Sequence, residues 1–158
     1  MKLTEIVMEQ AVAPSLEATT RDEAVAELVG LAAKAAGVPA ELETELVERV
    51  LAREKRGSTG FGRGVAVPHA KHPGLKQMVA AVGVAPAGIE FQSLDQKPVF
   101  SIVLLLSPED QPDRHLQAME NIFSKLQMDQ FRRFLAQART VEAVMDLLGE
   151  ADADQLSP

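Results

Sequence analysis

Residues 79–85 (VAAVGVA) and 99–106 (VFSIVLLL) are two apolar runs with almost no polar interruption. A strand with one wet face alternates apolar and polar residues, whereas a strand covered on both faces does not. Both runs therefore predict buried strands with helices packed on each side. A shorter strand is expected over residues 65–69 (VAVPH), and a weaker one over residues 12–16. Residues 88–98 read as a polar connection, with Leu94-Asp95-Gln96 as its turn.

The flanking sequence supplies the helices. Thr20 and Glu23 have capping-box spacing, and behind them Ala24, Leu28, Leu31 and Ala35 recur at helical period until Gly37. A second helix opens near Pro39, carries Leu42, Leu46 and Val50, and ends before Gly57. The pair forms a hairpin with a short connection. From Asp113 the period returns with Leu116, Met119, Phe123 and Leu126. Another helix follows through Phe131, Phe134 and Leu135, and a last one is capped by Thr140. The expected fold class is α/β: a three-layer α/β/α sandwich with a mixed central sheet, in the order β-αα-βββ-ααα. Residues 1–150 read as one domain and residues 151–158 (ADADQLSP) as a flexible acidic tail.

Composition narrows the chemistry. There is no Cys, so disulfides, thiolate nucleophiles and thiolate metal sites are excluded. The net charge of −7 and the lack of a basic patch argue against nucleic acid as a partner. No apolar run approaches the ~18 residues needed to span a bilayer, so membrane insertion is not expected. The first residues lack the form of a signal peptide, which makes the cytoplasm the expected location.

The run 57–69 (GSTGFGRGVAVPH) is the strongest functional feature. Four glycines could let backbone N–H groups face an anion. The spacing is not that of a dinucleotide fingerprint, and no Lys-Ser or Lys-Thr follows, so a nucleotide loop is excluded. Pro68 lacks an N–H and should stop the strand, presenting His69 at its end. Taken singly, each of these features also fits an ordinary turn and an idle loop histidine. His115 at a helix start reads equally as a boundary residue, and Arg53 as a solvated helical cation paired with Glu54 or Glu48. His69 and His72 could suggest a metal pair, but residues 72–73 read as a turn and no carboxylate completes a ligand set.

Together, however, Arg53-Glu54, Ser58-Thr59-Gly60 and Gly64-Val65-Ala66-Val67-Pro68-His69 resemble the signature of the fructose/mannitol/nitrogen-type EIIA domain. This is a component of the bacterial phosphoenolpyruvate:sugar phosphotransferase system. Gly88-Ile89-x-Phe91, Asp95-x-x-Pro98-Val99 and His115-Leu116 continue the likeness, which runs from about residue 4 to 149. The resemblance implies that His69 accepts a phosphoryl group, that His115 donates a hydrogen bond to it and that Arg53 stabilises its charge. Ser58, Thr59, Gly60, Gly62 and Gly64 would flank it. No metal or cofactor is implied. The implied donor is a histidine phosphocarrier protein, general or nitrogen-type, with an EIIB or a regulatory protein downstream. Arg63 departs from the family pattern, which often has Asn or Asp there. A nitrogen-regulatory member is expected; a sugar-specific EIIA serving a separate EIIB, and a protein-interaction domain without phosphotransfer, are the alternatives.

Overall fold

The computed structural model describes residues 1–156. In chain order it contains α1 (Leu3–Ile6), β1 (Val7–Ala13), α2 (Arg21–Ala35), α3 (Ala40–Lys55), β2 (Gly60–Gly62), β3 (Val65–Ala66) and β4 (His69–His72). These are followed by β5 (Val79–Ile89), β6 (Val99–Pro108), α4 (Pro112–Leu126), α5 (Asp129–Gln137) and α6 (Val141–Asp152).

The strands form one mixed sheet in the order β1-β5-β6-β3-β2, with β4 also paired to β6. β5 and β6 run antiparallel, while β1 joins β5, and β3 and β4 join β6, in parallel. The continuous apolar runs are explained by which face each residue covers. Ala80, Val82, Val84, Val103 and Leu105 point into a core with Ile122, Leu126, Phe131, Leu135 and Leu148. Ala81, Ile102, Leu104 and Leu106 point into a second core with Leu28, Leu46 and Val50. Helices α1, α4, α5 and α6 thus cover one face and α2 and α3 the other, as the sandwich requires.

Several boundaries differ from the sequence reading. The first strand lies at Val7–Ala13, not at 12–16. The single strand expected over 65–69 is split at Val67-Pro68 into β3 and β4. Proline cannot donate to a ladder; its carbonyl accepts from Leu105 N–H instead, and Val67 N–H bonds Thr59 O. Gly60–Gly62, expected as loop, pairs with β3 as β2. The short α1 was not anticipated, so the order becomes α-β-αα-βββββ-ααα.

The expected tail begins later than residue 151. Helix α6 runs on through Asp152, and Ala151 is buried. The carboxylate of Asp152 accepts from Leu3 N–H at 2.7 Å, Thr4 N–H at 3.0 Å and the Thr4 hydroxyl at 2.8 Å. The orphan amides of α1 are thereby satisfied from the far end of the chain. Residues 157–158 of the expected tail lie outside the described residues.

Asp152→Ala should lower stability by about 1–2 kcal/mol. Urea unfolding should show a lower midpoint with an unchanged slope.

Candidate functional site

His69 opens β4, and Leu105 faces it across the ladder on β6. Its Nδ1 lies 2.8 Å from Val67 O. A carbonyl can only accept, so Nδ1 carries the proton and the neutral ring keeps its lone pair on Nε2. Burial holds this imidazole below its ordinary pKa; the Val67 hydrogen bond opposes the shift and the charges of Arg53 and Lys71 add to it. Near neutral pH His69 is therefore an uncharged nitrogen nucleophile.

His115 lies in the first turn of α4, where Pro112 fixes the helix start. Its ring centroid is 5.7 Å from that of His69, with the planes tilted by 51°. The residue is only 9 % exposed. Burial first, then His69 and Lys71, push its pKa down to about 4. Nδ1 of His115 lies 2.7 Å from the buried Ser107 Oγ.

Arg53 lies in the last turn of α3, and its Nη1 donates to Gly57 O at 2.7 Å. Arg53, His69 and His115 line one cleft of about 430 Å³, together with Arg49, Arg56, Lys71 and Glu109. A second, more apolar groove leaves the two imidazoles on the other side, past Leu116, Met119, Glu120 and Phe123. An anion at Nε2 of His69 would meet a locally positive field in a chain whose net charge is −7.

Two glycines of the run, Gly62 and Gly64, stand away from the imidazole. Gly62 and Gly64 form the tip of the β2–β3 hairpin, beside Asp95 and Phe100. Val65 pairs with Ser101, whereas His69 pairs with Leu105, four residues further along β6. At ~3.3 Å per residue the tip lies about 13 Å along the strand from the level of the imidazole. Gly60 pairs with Ala66 in that hairpin. Ser58 Oγ donates to Phe91 O and accepts from Gly60 N–H. The Thr59 hydroxyl and amide are held by the buried Glu54 carboxylate. These contacts brace the segment leading to β3, and Thr59 O accepts from the amide of Val67, whose carbonyl meets the His69 ring.

Residues 62–64 all have positive φ, with Arg63 at 60°. Gly62 and Gly64 tolerate this, but a residue with a Cβ is strained there, and Asn or Asp is strained least. The Arg63 amide is fixed by Asp95 Oδ2 at 3.1 Å. Arg63 thus belongs to the hairpin tip, away from the cleft.

Lys71 and Arg49 line the cleft and Ser107 is buried against His115; the sequence singled out none of the three. Lys71 is two residues beyond His69 on β4, and period-2 alternation would have put it on the same face. Arg49 is one helical turn before Arg53; it donates to Lys71 O at 2.7 Å and lies 3.8 Å from Glu109. Ser107 is the polar residue that ends the apolar run of β6. His72, considered as a metal partner, faces away. Its Nε2 meets Glu45 at 3.1 Å and its Nδ1 accepts from Gly74 N–H at 2.8 Å. Among the described residues, no cluster of three His, Asp or Glu is placed to hold a metal ion. No helix among them is long and apolar enough to cross a membrane.

Known proteins resemble this chain in sequence and in fold. The sequence model of the family described as "Phosphoenolpyruvate-dependent sugar phosphotransferase system, EIIA 2" matches residues 5–151. The nitrogen regulatory protein of Bradyrhizobium diazoefficiens is 34 % identical over 148 residues, covering 94 % of this chain and 95 % of that one. The fructose-specific EIIABC component of Bacillus subtilis is 27 % identical over 152 residues, covering 96 % of this chain but 24 % of that one. The crystal structure of the nitrogen regulatory protein IIA-Ntr from Neisseria meningitidis superposes with a TM-score of 0.83 at 30 % identity, covering 91 % of this chain and 97 % of that one.

Two outcomes follow for the site. In an NMR titration the His115 ring should stay neutral down to about pH 4. Because the unfolded chain takes up that proton near the ordinary histidine value, stability should fall as pH drops from about 6.5 towards 4. Arg63→Asn should raise stability by about 1 kcal/mol by relieving the left-handed backbone, measured by urea unfolding.

Proposed function

The chain belongs to the EIIA 2 family of the phosphoenolpyruvate-dependent sugar phosphotransferase system, and on that premise we propose that His69 is the residue on which it carries a phosphoryl group. The observation that carries this is the pairing of a neutral His69, its free nitrogen being Nε2, with His115 and Arg53 on one cleft. The donor is a phosphorylated histidine phosphocarrier protein. Nε2 of His69 attacks phosphorus, the donor's N–P bond breaks, and the donor imidazole leaves with the bonding electron pair. The transferring group spreads its negative charge over three oxygens, so the protein's task is positioning and electrostatic stabilisation. Arg53 and Lys71 supply charge, Arg53 as a planar fork, and His115 donates to an oxygen. The same cations hold the phosphohistidine until a partner removes it. Such a relay draws on phosphoenolpyruvate, and the cytoplasm is the compartment where we place it.

The nitrogen-regulatory branch is the better supported reading, because the Bradyrhizobium regulator matches this chain over nearly the whole length of both. Its output is then the binding of regulatory proteins that distinguish the phosphorylated from the free form. The fructose-specific relative supports a second reading, transfer to a separate EIIB.

Incubation with phosphoenolpyruvate, enzyme I and a histidine phosphocarrier protein should add the mass of one phosphoryl group. His69→Ala should add none. His115→Ala and Arg53→Ala should slow the transfer by about 100-fold. An unchanged mass with both general and nitrogen-type donors would reject the carrier role. Onward transfer of label to a fructose- or mannitol-type EIIB would favour the sugar branch.

A further inference from the structure

His115 can hydrogen-bond a phosphoryl oxygen only through a nitrogen that bears a proton. At neutral pH this ring is uncharged and carries one proton, so its tautomer decides whether it can act. Ser107 supplies the deciding constraint. Its side chain is fully buried in β6, directly across from Lys71, and its Oγ lies 2.7 Å from His115 Nδ1. Among the described residues the hydroxyl has no second partner.

A serine hydroxyl has one proton to donate and lone pairs to accept. If it accepted from an Nδ1–H, its own proton would be buried without an acceptor, and the imidazole lone pair would sit on Nε2. If it donates to Nδ1, the buried proton is satisfied and the ring proton moves to Nε2. Leaving a buried donor unpaired is costly enough to bias the equilibrium by about tenfold or more. We infer that Ser107 is a positioning residue: it donates its hydroxyl proton to His115 Nδ1 and locks His115 as the Nε2–H tautomer, the form able to hydrogen-bond a phosphoryl oxygen.

The two rings then hold opposite tautomers. Val67 O takes the Nδ1 proton of His69 and leaves Nε2 as nucleophile. Ser107 fills Nδ1 of His115 and leaves Nε2–H as donor. Each imidazole has one nitrogen fixed by the sheet side of the site and the other left for the cleft. The consequence for transfer rests on the proposed role of His69, but the tautomer does not.

The test uses the full chain labelled with ¹⁵N at histidine. At pH 7 long-range ¹H–¹⁵N correlations should show His115 Nδ1 as pyridine-like and Nε2 as pyrrole-like. Ser107→Ala should populate both tautomers, and Ser107→Cys, with a weaker donor, should lie between; an amide spectrum unchanged away from the site establishes that each variant is folded. Phosphoryl acceptance by Ser107→Ala should slow about 3- to 10-fold, with the KM for the donor unchanged. A wild-type His115 protonated on Nδ1, or a tautomer unmoved in Ser107→Ala, would overturn the lock. A shifted tautomer with an undiminished rate would overturn the positioning role. The same assay on His115→Ala then tells whether the fault lies with Ser107 or with the part given to His115.

Discussion

Strand β6 is hydrogen-bonded along both edges and packed on both faces, and the site is laid out along it. β5 pairs with one edge, while β3 and then β4 pair in series with the other. The gap between β3 and β4 is Val67-Pro68, where the Val67 carbonyl meets Nδ1 of His69. Ser107 follows near the end of the same strand, and the chain then turns into α4 to deliver His115. A buried strand of this kind has little freedom in register, because a slip of one residue would exchange the residues of its two cores. The spacing of the two imidazoles is therefore set by the packing of the sheet.

Burial also decides the charge state of the site. Burial pushes both imidazoles below their ordinary pKa, His115 down to about 4. In bulk water a histidine is part-protonated near neutral pH; here both rings are neutral, and the positive charge comes from Arg53, Lys71 and Arg49. On the proposed role of His69, that division keeps its free nitrogen able to attack phosphorus while the cations remain available for the phosphoryl oxygens. Glu54 works in the opposite sense on His69 and is itself tied to Thr59 behind the site.

Much of the layering was legible in the sequence, since a strand buried on two faces leaves a continuous apolar run at 79–85 and 99–106. The pairing of Arg53, His69 and His115 was legible through the family likeness, and not from any one spacing. What the chain concealed was register. The glycines of 60–64 look adjacent to His69 along the sequence, yet a β-hairpin carries two of them to the far end of the ladder. Ser107 was hidden for a related reason: its partner is eight residues away, and only the turn from β6 into α4 brings the two together. Asp152 looked like the start of an acidic tail because its ligands, the amides of Leu3 and Thr4, are at the other terminus.

By occupying Nδ1 of His69, the Val67 carbonyl leaves Nε2 as the nitrogen proposed to carry the phosphoryl group. Correlated ³¹P–¹⁵N NMR on the phosphorylated protein reads that bond directly. Phosphorus coupled to Nε2 of His69, with Nδ1 still protonated, is the expected result. Phosphorus on Nδ1, or on any other residue, would contradict it.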